Sequence, residues 1–261
     1  MREPGLSEAI RAAGGVGELA RQIGISQPSV SNWIRIPAER VTSVEAITGV
    51  DRAILRPDLY DGEKMAGDVD EVDVARAQEY AVLSVLLARA PDAALLKRLA
   101  ALRGDPSPLG IAHVALSEAA SRATVEQVER EFFDLFIGVG RGELLPYGSY
   151  YLTGFLHERP LARLREDLGK LGIERTEGNS EPEDHAATLC EIMAGLAGGR
   201  FGAQAGALAG GDQEIFEKHM APWMGRFFSD LERADTANFY RSVGTIGRML
   251  MDIETEAFAL T

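Results

Sequence analysis

Across 261 residues no stretch of six shows convincing alternation of apolar and polar side chains, whereas apolar residues at helical spacing recur throughout. A strand with one face in a core needs period two. A helix needs a stripe at i, i+3, i+4 and i+7. The chain is therefore expected to be all-α. Val74, Ala77, Ala81, Val85 and Ala88 stack on one helical face, Leu83, Leu86 and Leu87 widen it, and Pro91 stops it. Ala93 to Leu102, Pro108 to about Ala120, Thr124 to Phe136 and Leu161 to Leu171 read as the next helices. Ser180 and Glu183 fit a capping box, with Pro182 in the first turn of a helix running to about Leu196. Asp212 to Met220, Pro222 to Arg233 and Thr236 to Phe258 complete the set. Residues 138–149 and 172–180 read as loops, and Gly198 to Gly211 as a Gly/Ala-rich stretch without a clear pattern.

Charge divides the chain. The net charge is −13, yet residues 1–61 carry 7 basic and 8 acidic groups, so nearly all the acidity follows them. Asp61 to Asp73 is rich in Asp, Glu and Gly and poor in apolar residues, which reads as a linker. The expected organisation is a small domain at 1–61, a linker at 62–73 and a larger all-helical domain at 74–261. An acidic body repels phosphate backbones and suits basic partners, and the first segment escapes that repulsion. The single cysteine, Cys190, lies in an apolar helical pattern and reads as a buried thiol, which agrees with a reducing compartment. Met1 to Leu6 has no signal pattern, and the longest apolar stretch, Tyr80 to Ala90, is too short to span a bilayer. A cytoplasmic protein without membrane insertion is expected.

The run from Leu19 to Trp33 has a specific layout. Leu19, Ala20 and Ile23 face inward from one helix, Gly24 sits where a tight turn needs positive φ, and Ile25 plugs the corner. Ser26 caps a second helix, Pro28 is tolerated in its first turn, and Val30 and Trp33 point back to the core. Gln27, Ser29, Ser31 and Asn32 are left outward, where a helix-turn-helix meets the major groove, and Gln and Asn can pair with adenine. Ser26 belongs to the same edge. Arg35 and Arg40 are the candidate phosphate contacts. A helical hairpin that binds no nucleic acid is the alternative. Ala12-Ala13-Gly14-Gly15, Val30-Ser31-Asn32-Trp33, Ile36-Pro37-Ala38-Glu39-Arg40 and Leu55-Arg56-Pro57-Asp58-Leu59-Tyr60 resemble the YdaS/Cro-like helix-turn-helix family over about residues 5–61. That resemblance implies a small DNA-binding domain.

In the larger segment the chemistry of catalysis is missing. His113, His157, His185 and His219 form no short metal-ligand spacing. No serine sits in a nucleophile elbow, and Gly138, Gly140 and Gly142 lack the flanking residues of a phosphate loop. Neighbours on a helix point about 100° apart, so Asp184 and His185 make an awkward dyad. No enzyme and no cofactor are read from these residues.

Glu181-Pro182-Glu183-Asp184-His185 resembles the E-P-x-D-H motif of the TorD/DmsD family of molybdoenzyme chaperones. Phe132 to Gly138, Leu145 to Tyr151, the His219-x-x-Pro222-Trp223 segment and Asn238-Phe239-Tyr240 are similar to further pieces of that family, in its order, over roughly residues 73–260. The resemblance implies an all-α chaperone that binds the twin-arginine signal peptide, or another N-terminal region, of a molybdenum-cofactor oxidoreductase until cofactor insertion is complete. A basic, partly apolar peptide suits an acidic, aromatic-lined groove. The residues expected to line it are Pro146, Tyr147, Ser149, Tyr150, Tyr151, Glu181, Pro182, Asp184, His185, His219 and Trp223. Glu181 and Asp184 would hold arginines and His185 would anchor the turn. The alternative function is a transcriptional regulator whose chaperone-like domain senses the client enzyme, as a homodimer if its operator is two-fold.

Overall fold

The computed structural model describes residues 3–50, 52–56, 70–174, 181–201 and 210–260. The chain divides into two compact units, Met1–Asp68 and Val69–Thr261. Among the described residues both units are helical and no strand occurs, as the periodicity predicts. Residues 62–69 of the expected linker, the Pro57 to Tyr60 family segment, Ser180 and most of the Gly/Ala-rich stretch lie outside the described residues.

The smaller unit comprises α1 (Pro4–Ala12), α2 (Val16–Ile23), α3 (Gln27–Ser31), a 3-10 turn at Ala38–Arg40, α4 (Val41–Thr48) and α5 (Arg52–Leu55). Leu6, Ala9, Leu19, Ala20, Val30, Ile36, Val41, Val44 and Leu55 form its core, with Ile25 and Trp33 packed at the edge. Gly24 ends α2 at φ 78°, and the Ser26 hydroxyl accepts the Ser29 amide at 3.4 Å. The α2–turn–α3 geometry expected from the sequence is therefore present.

The larger unit runs α6 (Glu71–Ala88), α7 (Ala93–Leu99), α8 (Pro108–Arg122), α9 (Val125–Phe132), α10 (Gly148–Thr153), α11 (Arg159–Lys170), α12 (Ala186–Ala197), α13 (Gly211–Ile215), α14 (Met224–Arg233) and α15 (Phe239–Phe258). Side chains start several of them: Asp70 caps α6, Asp92 caps α7, Ser107 caps α8, and Thr124 with Gln127 closes a capping box on α9. Residues 71–73, expected in the linker, are the first turn of α6.

Helix α12 is apolar on nearly every side, so it must be central; it lies along α6 and buries Leu189, Cys190, Ile192 and Met193. Cys190 is fully buried, and burial pushes its thiol pKa up. Helices α14 and α15 approach closely because α15 carries glycines at the contact. A Cβ on Gly244 would fall 2.6 Å from the Glu232 amide nitrogen, and one on Gly247 2.2 Å from the Phe228 ring. One ionic cluster ties three elements together. The half-buried Arg76 guanidinium reaches Glu254 at 2.7 Å, Asp212 at 3.0 Å and Asp73 at 2.7 Å, and the Tyr80 hydroxyl donates to Glu254 at 3.1 Å.

Two helices expected to be continuous end in π-helical turns, Phe133–Ile137 and Phe216–Met220. Each widens its helix by a residue per turn and re-aims the chain that follows. The loop expected at 138–149 stops early because α10 begins at Gly148. Pro182 is not in the first turn of α12, which begins at Ala186.

Helix α15 begins without a capping side chain of its own. Glu131 supplies one from α9: Oε1 accepts the amides of Asn238 (2.8 Å) and Tyr240 (2.7 Å), and Oε2 that of Phe239 (3.1 Å). Removing this largely buried acceptor leaves three donors unsatisfied. Glu131→Ala is expected to cost about 1–3 kcal/mol, which lowers the melting temperature by roughly 2–12 °C for a unit of this size. Circular-dichroism melts check this, and an unchanged midpoint would show that other acceptors replace the carboxylate.

Candidate functional site

Two irregular segments meet ahead of α12. Residues 146–148 and 184–186 run antiparallel: the Gly148 amide donates to the Asp184 carbonyl (2.9 Å), the Ala186 amide to the Pro146 carbonyl (2.8 Å), and Tyr147 faces His185. The backbone groups of 184–186 are thus spent on the loop rather than on a helical turn, which is why α12 starts late. Its cap is His185, whose Nδ1 accepts the Ala187 amide at 3.1 Å. Burial holds the His185 pKa down and keeps the ring neutral, as an accepting Nδ1 requires. The Tyr147 ring meets the His185 ring edge-on at 5.0 Å, and its hydroxyl donates to Glu181. Burial, and then Glu181, push the Tyr147 pKa up.

Behind this corner lies an aromatic layer. Trp223 donates from Nε1 to the His219 carbonyl (2.7 Å), and His219 Nε2 meets Asp167 at 2.9 Å. A hydrogen bond from Lys170 leads the influences that hold Asp167 below the usual carboxylate range. The Tyr151 ring packs on Trp223 and Phe227 while its hydroxyl donates to Asp230 at 3.0 Å. Tyr150 is half-exposed under the Arg141 guanidinium, 5.6 Å from its ring centre.

The structure brings the expected residues together but gives several of them a different task. Asp184 is 3% exposed and Oδ2 accepts the Ser149 amide at 2.7 Å, so its carboxylate holds the loop and is not presented to an incoming arginine. Trp223 is 1% exposed and is core, not contact surface. Pro146, Ser149 and His185 are likewise buried. Asp184 Oδ1 and Ser149 Oγ find no hydrogen-bond partner among the described residues. Tyr147, Tyr150, Tyr151, Glu181 and Pro182 keep surface within reach of a ligand.

Two clefts flank α11 beside the corner. One, of about 370 Å³, is lined by the acidic residues Glu174, Glu181, Glu183 and Glu191 over an apolar floor of Leu168, Ile192 and Phe201. The other, of about 390 Å³, carries Arg163 and Lys218 together with Asp167, Asp184 and His219. The second sets Glu166, Asp167 and Asp184 against Arg163 and Lys218, whereas the first has the stronger net negative charge, four glutamates against one arginine. Sequence reasoning missed Glu183 and Glu191 as its acids. The available signal was Glu191, the one charged residue in the otherwise apolar α12. A larger hollow of about 740 Å³ between α8, α9 and the start of α15 has a mixed-charge lining and shares no residue with the corner. Among the described residues no group of three His, Cys, Asp or Glu side chains is arranged to hold a metal ion.

On the smaller unit Gln27, Ser29, Ser31, Asn32 and Arg35 are exposed along α3 and just beyond it, and Arg40 is half-buried. The Ser26 and Ser29 hydroxyls bond each other at 2.7 Å, so both are committed to the cap. Arg11, Arg21 and Arg52 are ion-paired with Glu8, Glu18 and Glu45, and Arg56 is buried on the Ile36 carbonyl.

The framework role of Asp184 has a measurable signature. Asp184→Ala leaves the buried Ser149 amide without its acceptor, which costs about 1–3 kcal/mol and lowers the melting temperature by roughly 2–12 °C. An unchanged melting temperature with lost ligand binding would return the carboxylate to a contact role.

Residues 103–229 match the family described as nitrate reductase delta subunit, and residues 6–64 the family described as bacterial toxin YdaS. The chaperone protein TorD of Vibrio cholerae serotype O1 is 27% identical over 138 residues, 51% of this chain. The match spans 63% of that relative's own length. The TorD chaperone of Shewanella loihica is 25% identical over 214 residues, 73% of this chain and 96% of its own. A solved structure from Archaeoglobus fulgidus, described as a redox enzyme maturation protein, is 20% identical with a TM-score of 0.46, over 68% of this chain and 93% of its own; at that score it decides nothing further. These relatives are named as chaperones and a maturation protein, not as catalysts. No helix among the described residues is long and apolar enough to cross a membrane. With residues 103–229 matched by one family and TorD chaperones recurring among its relatives, the larger unit is similar to the TorD chaperones, and residues 6–64 are similar to the YdaS family.

Proposed function

We propose that the larger unit is a cytoplasmic maturation chaperone for a molybdenum-cofactor oxidoreductase, and that it acts by binding rather than by catalysis. It takes the twin-arginine signal peptide, or another basic N-terminal region, of the client's catalytic subunit and holds it until the cofactor is inserted and export can begin. The observation that carries this reading is the acidic cleft with its apolar floor beside the 146–149 and 181–185 corner. Arginine side chains are held best by carboxylates at partly desolvated edges, and the apolar run that follows them in such a peptide buries area on Leu168, Ile192 and Phe201. Glu181, Glu183 and Glu191 take the guanidinium groups. Tyr147 sets Glu181 through its hydroxyl, and Tyr150 offers ring area at the rim. Asp184 and His185 position the corner, and His219 and Trp223 back it. Calorimetric titration with a synthetic twin-arginine peptide tests this. Glu181→Gln combined with Glu191→Gln should weaken binding by roughly tenfold or more, and added salt should weaken the parent protein's binding further. A peptide that binds neither protein, or both equally, would overturn the assignment.

A second reading is favoured by the α2–turn–α3 geometry: the smaller unit binds DNA, with Gln27 and Asn32 on base edges and Arg35 and Arg40 at phosphates, and couples client occupancy to transcription. Because Arg11, Arg21 and Arg52 are already paired with glutamates, few cations are left for phosphates and the salt dependence of binding should be shallow. Gln27→Ala should cost about 1–3 kcal/mol on a preferred site and relax specificity there. Fluorescence-anisotropy titrations on specific and scrambled duplexes measure this, and equal loss on both would remove Gln27 as a base reader.

A further inference from the structure

The acidic cleft already contains a guanidinium. Arg165, on the exposed side of α11, donates from Nε and Nη2 to Glu183 Oε2, both at 2.8 Å. It is the one cationic side chain among the described residues lining the cleft, against four glutamates. The Glu183 side chain is 13% exposed, whereas that of Arg165 is 50% exposed, so the acid is fixed and the base has room to swing into solvent. We infer that Arg165 is an internal competitor for the client's arginine: it fills a guanidinium position in the empty cleft and is displaced when the client enters. This rests on the proposal that the cleft binds a basic peptide.

Chemistry makes the competition specific. Arg165 presents the same planar donor fork that a client arginine brings, so the two satisfy Glu183 in the same way and exclude each other. An ion pair with one partner half in solvent is weak, so displacement is cheap and does not block binding. The effect is to lower affinity and to refill the site as the client leaves, which a chaperone that must release its client needs. Arg163, two residues earlier on the same helix, lines the other cleft and provides a matched control of equal charge.

The experiment is titration of the full chain with a synthetic peptide carrying two adjacent arginines followed by an apolar run. Arg165→Gln should tighten binding by about two- to fivefold, the range an exposed ion pair supports. Arg163→Gln should leave affinity unchanged. In a Glu183→Gln background the gain from Arg165→Gln should vanish, because the contested acid is gone. Thermal melts of each variant confirm that it is folded. Equal tightening in Arg163→Gln would reduce the effect to net charge and overturn the inference. So would unchanged or weaker binding in Arg165→Gln, while the Glu181→Gln, Glu191→Gln protein still loses affinity; the cleft assignment would then stand alone. If no variant and no parent protein binds the peptide, the cleft assignment falls and the inference with it.

Discussion

A helix that is apolar on nearly every side can exist only at the centre of its unit, and α12 imposes that condition on the rest of the fold. It packs along α6 and against α13. Its N-terminus is the difficulty, because the first amides of a buried helix need acceptors that neither solvent nor the helix provides. The chain meets that need with a corner rather than a simple cap. The Pro146 carbonyl takes the Ala186 amide, and His185 Nδ1 takes the Ala187 amide. The side chain that locks the loop in place, Asp184, is therefore structural before it is anything else. The surface of the corner inherits its shape from that buried pairing.

Around the corner, charge is sorted by α11. Arg165 and Leu168 face one cleft, Arg163 and Asp167 the other. A strongly acidic body does not by itself make a binding site, since scattered carboxylates in solvent are screened within about 10 Å. What distinguishes the first cleft is that four glutamates surround apolar area, where a partner's hydrophobic segment can displace water and strengthen each ionic contact. The same reasoning separates the two units. In the smaller one, arginines are neutralised by glutamates three or seven residues away, so its surface has little net field to attract phosphate, and any selectivity must come from the short α3 edge.

Much of the fold was legible in the sequence because helices announce themselves locally. The helix over Val74 to Ala88, the Thr124 box and the Gly24–Ser26 turn depend on side chains within a few residues of one another. The expected stripe of Val74, Ala77, Ala81, Val85 and Ala88 is nevertheless not the buried face: Val74 and Val85 are exposed, and Ala77, Tyr80, Leu83, Leu86 and Leu87 are buried. The failures share a different cause. Thr124 to Phe136 reads as one helix because a π turn leaves apolar periodicity almost intact. Ser180 and Glu183 mimic a capping box, yet the cap of α12 is a histidine whose orientation is set by a loop 38 residues earlier, Tyr147 against His185. Glu131 capping α15 across 107 to 109 residues leaves no local trace at all.

The candidate site was half legible for the same reason. The Glu181 to His185 run and the Leu145 to Tyr151 loop do meet at one corner, but two of the expected site residues, Asp184 within them and Trp223 behind them, are buried. A buried carboxylate accepting a buried amide, and an indole that must satisfy its N–H on the His219 carbonyl, are demanding positions, and demanding positions make recognisable motifs. Contact with a partner is made by side chains that keep one end in water, and those are tolerant of change in shape. Hence the motif locates the scaffold, while the cleft assigned to the client in the proposal is lined by residues outside it: Glu191 on the exposed edge of an apolar helix, and Arg165 folded back on Glu183. A protein that binds and releases a partner, as proposed, combines a fixed fold with an adjustable surface in this way.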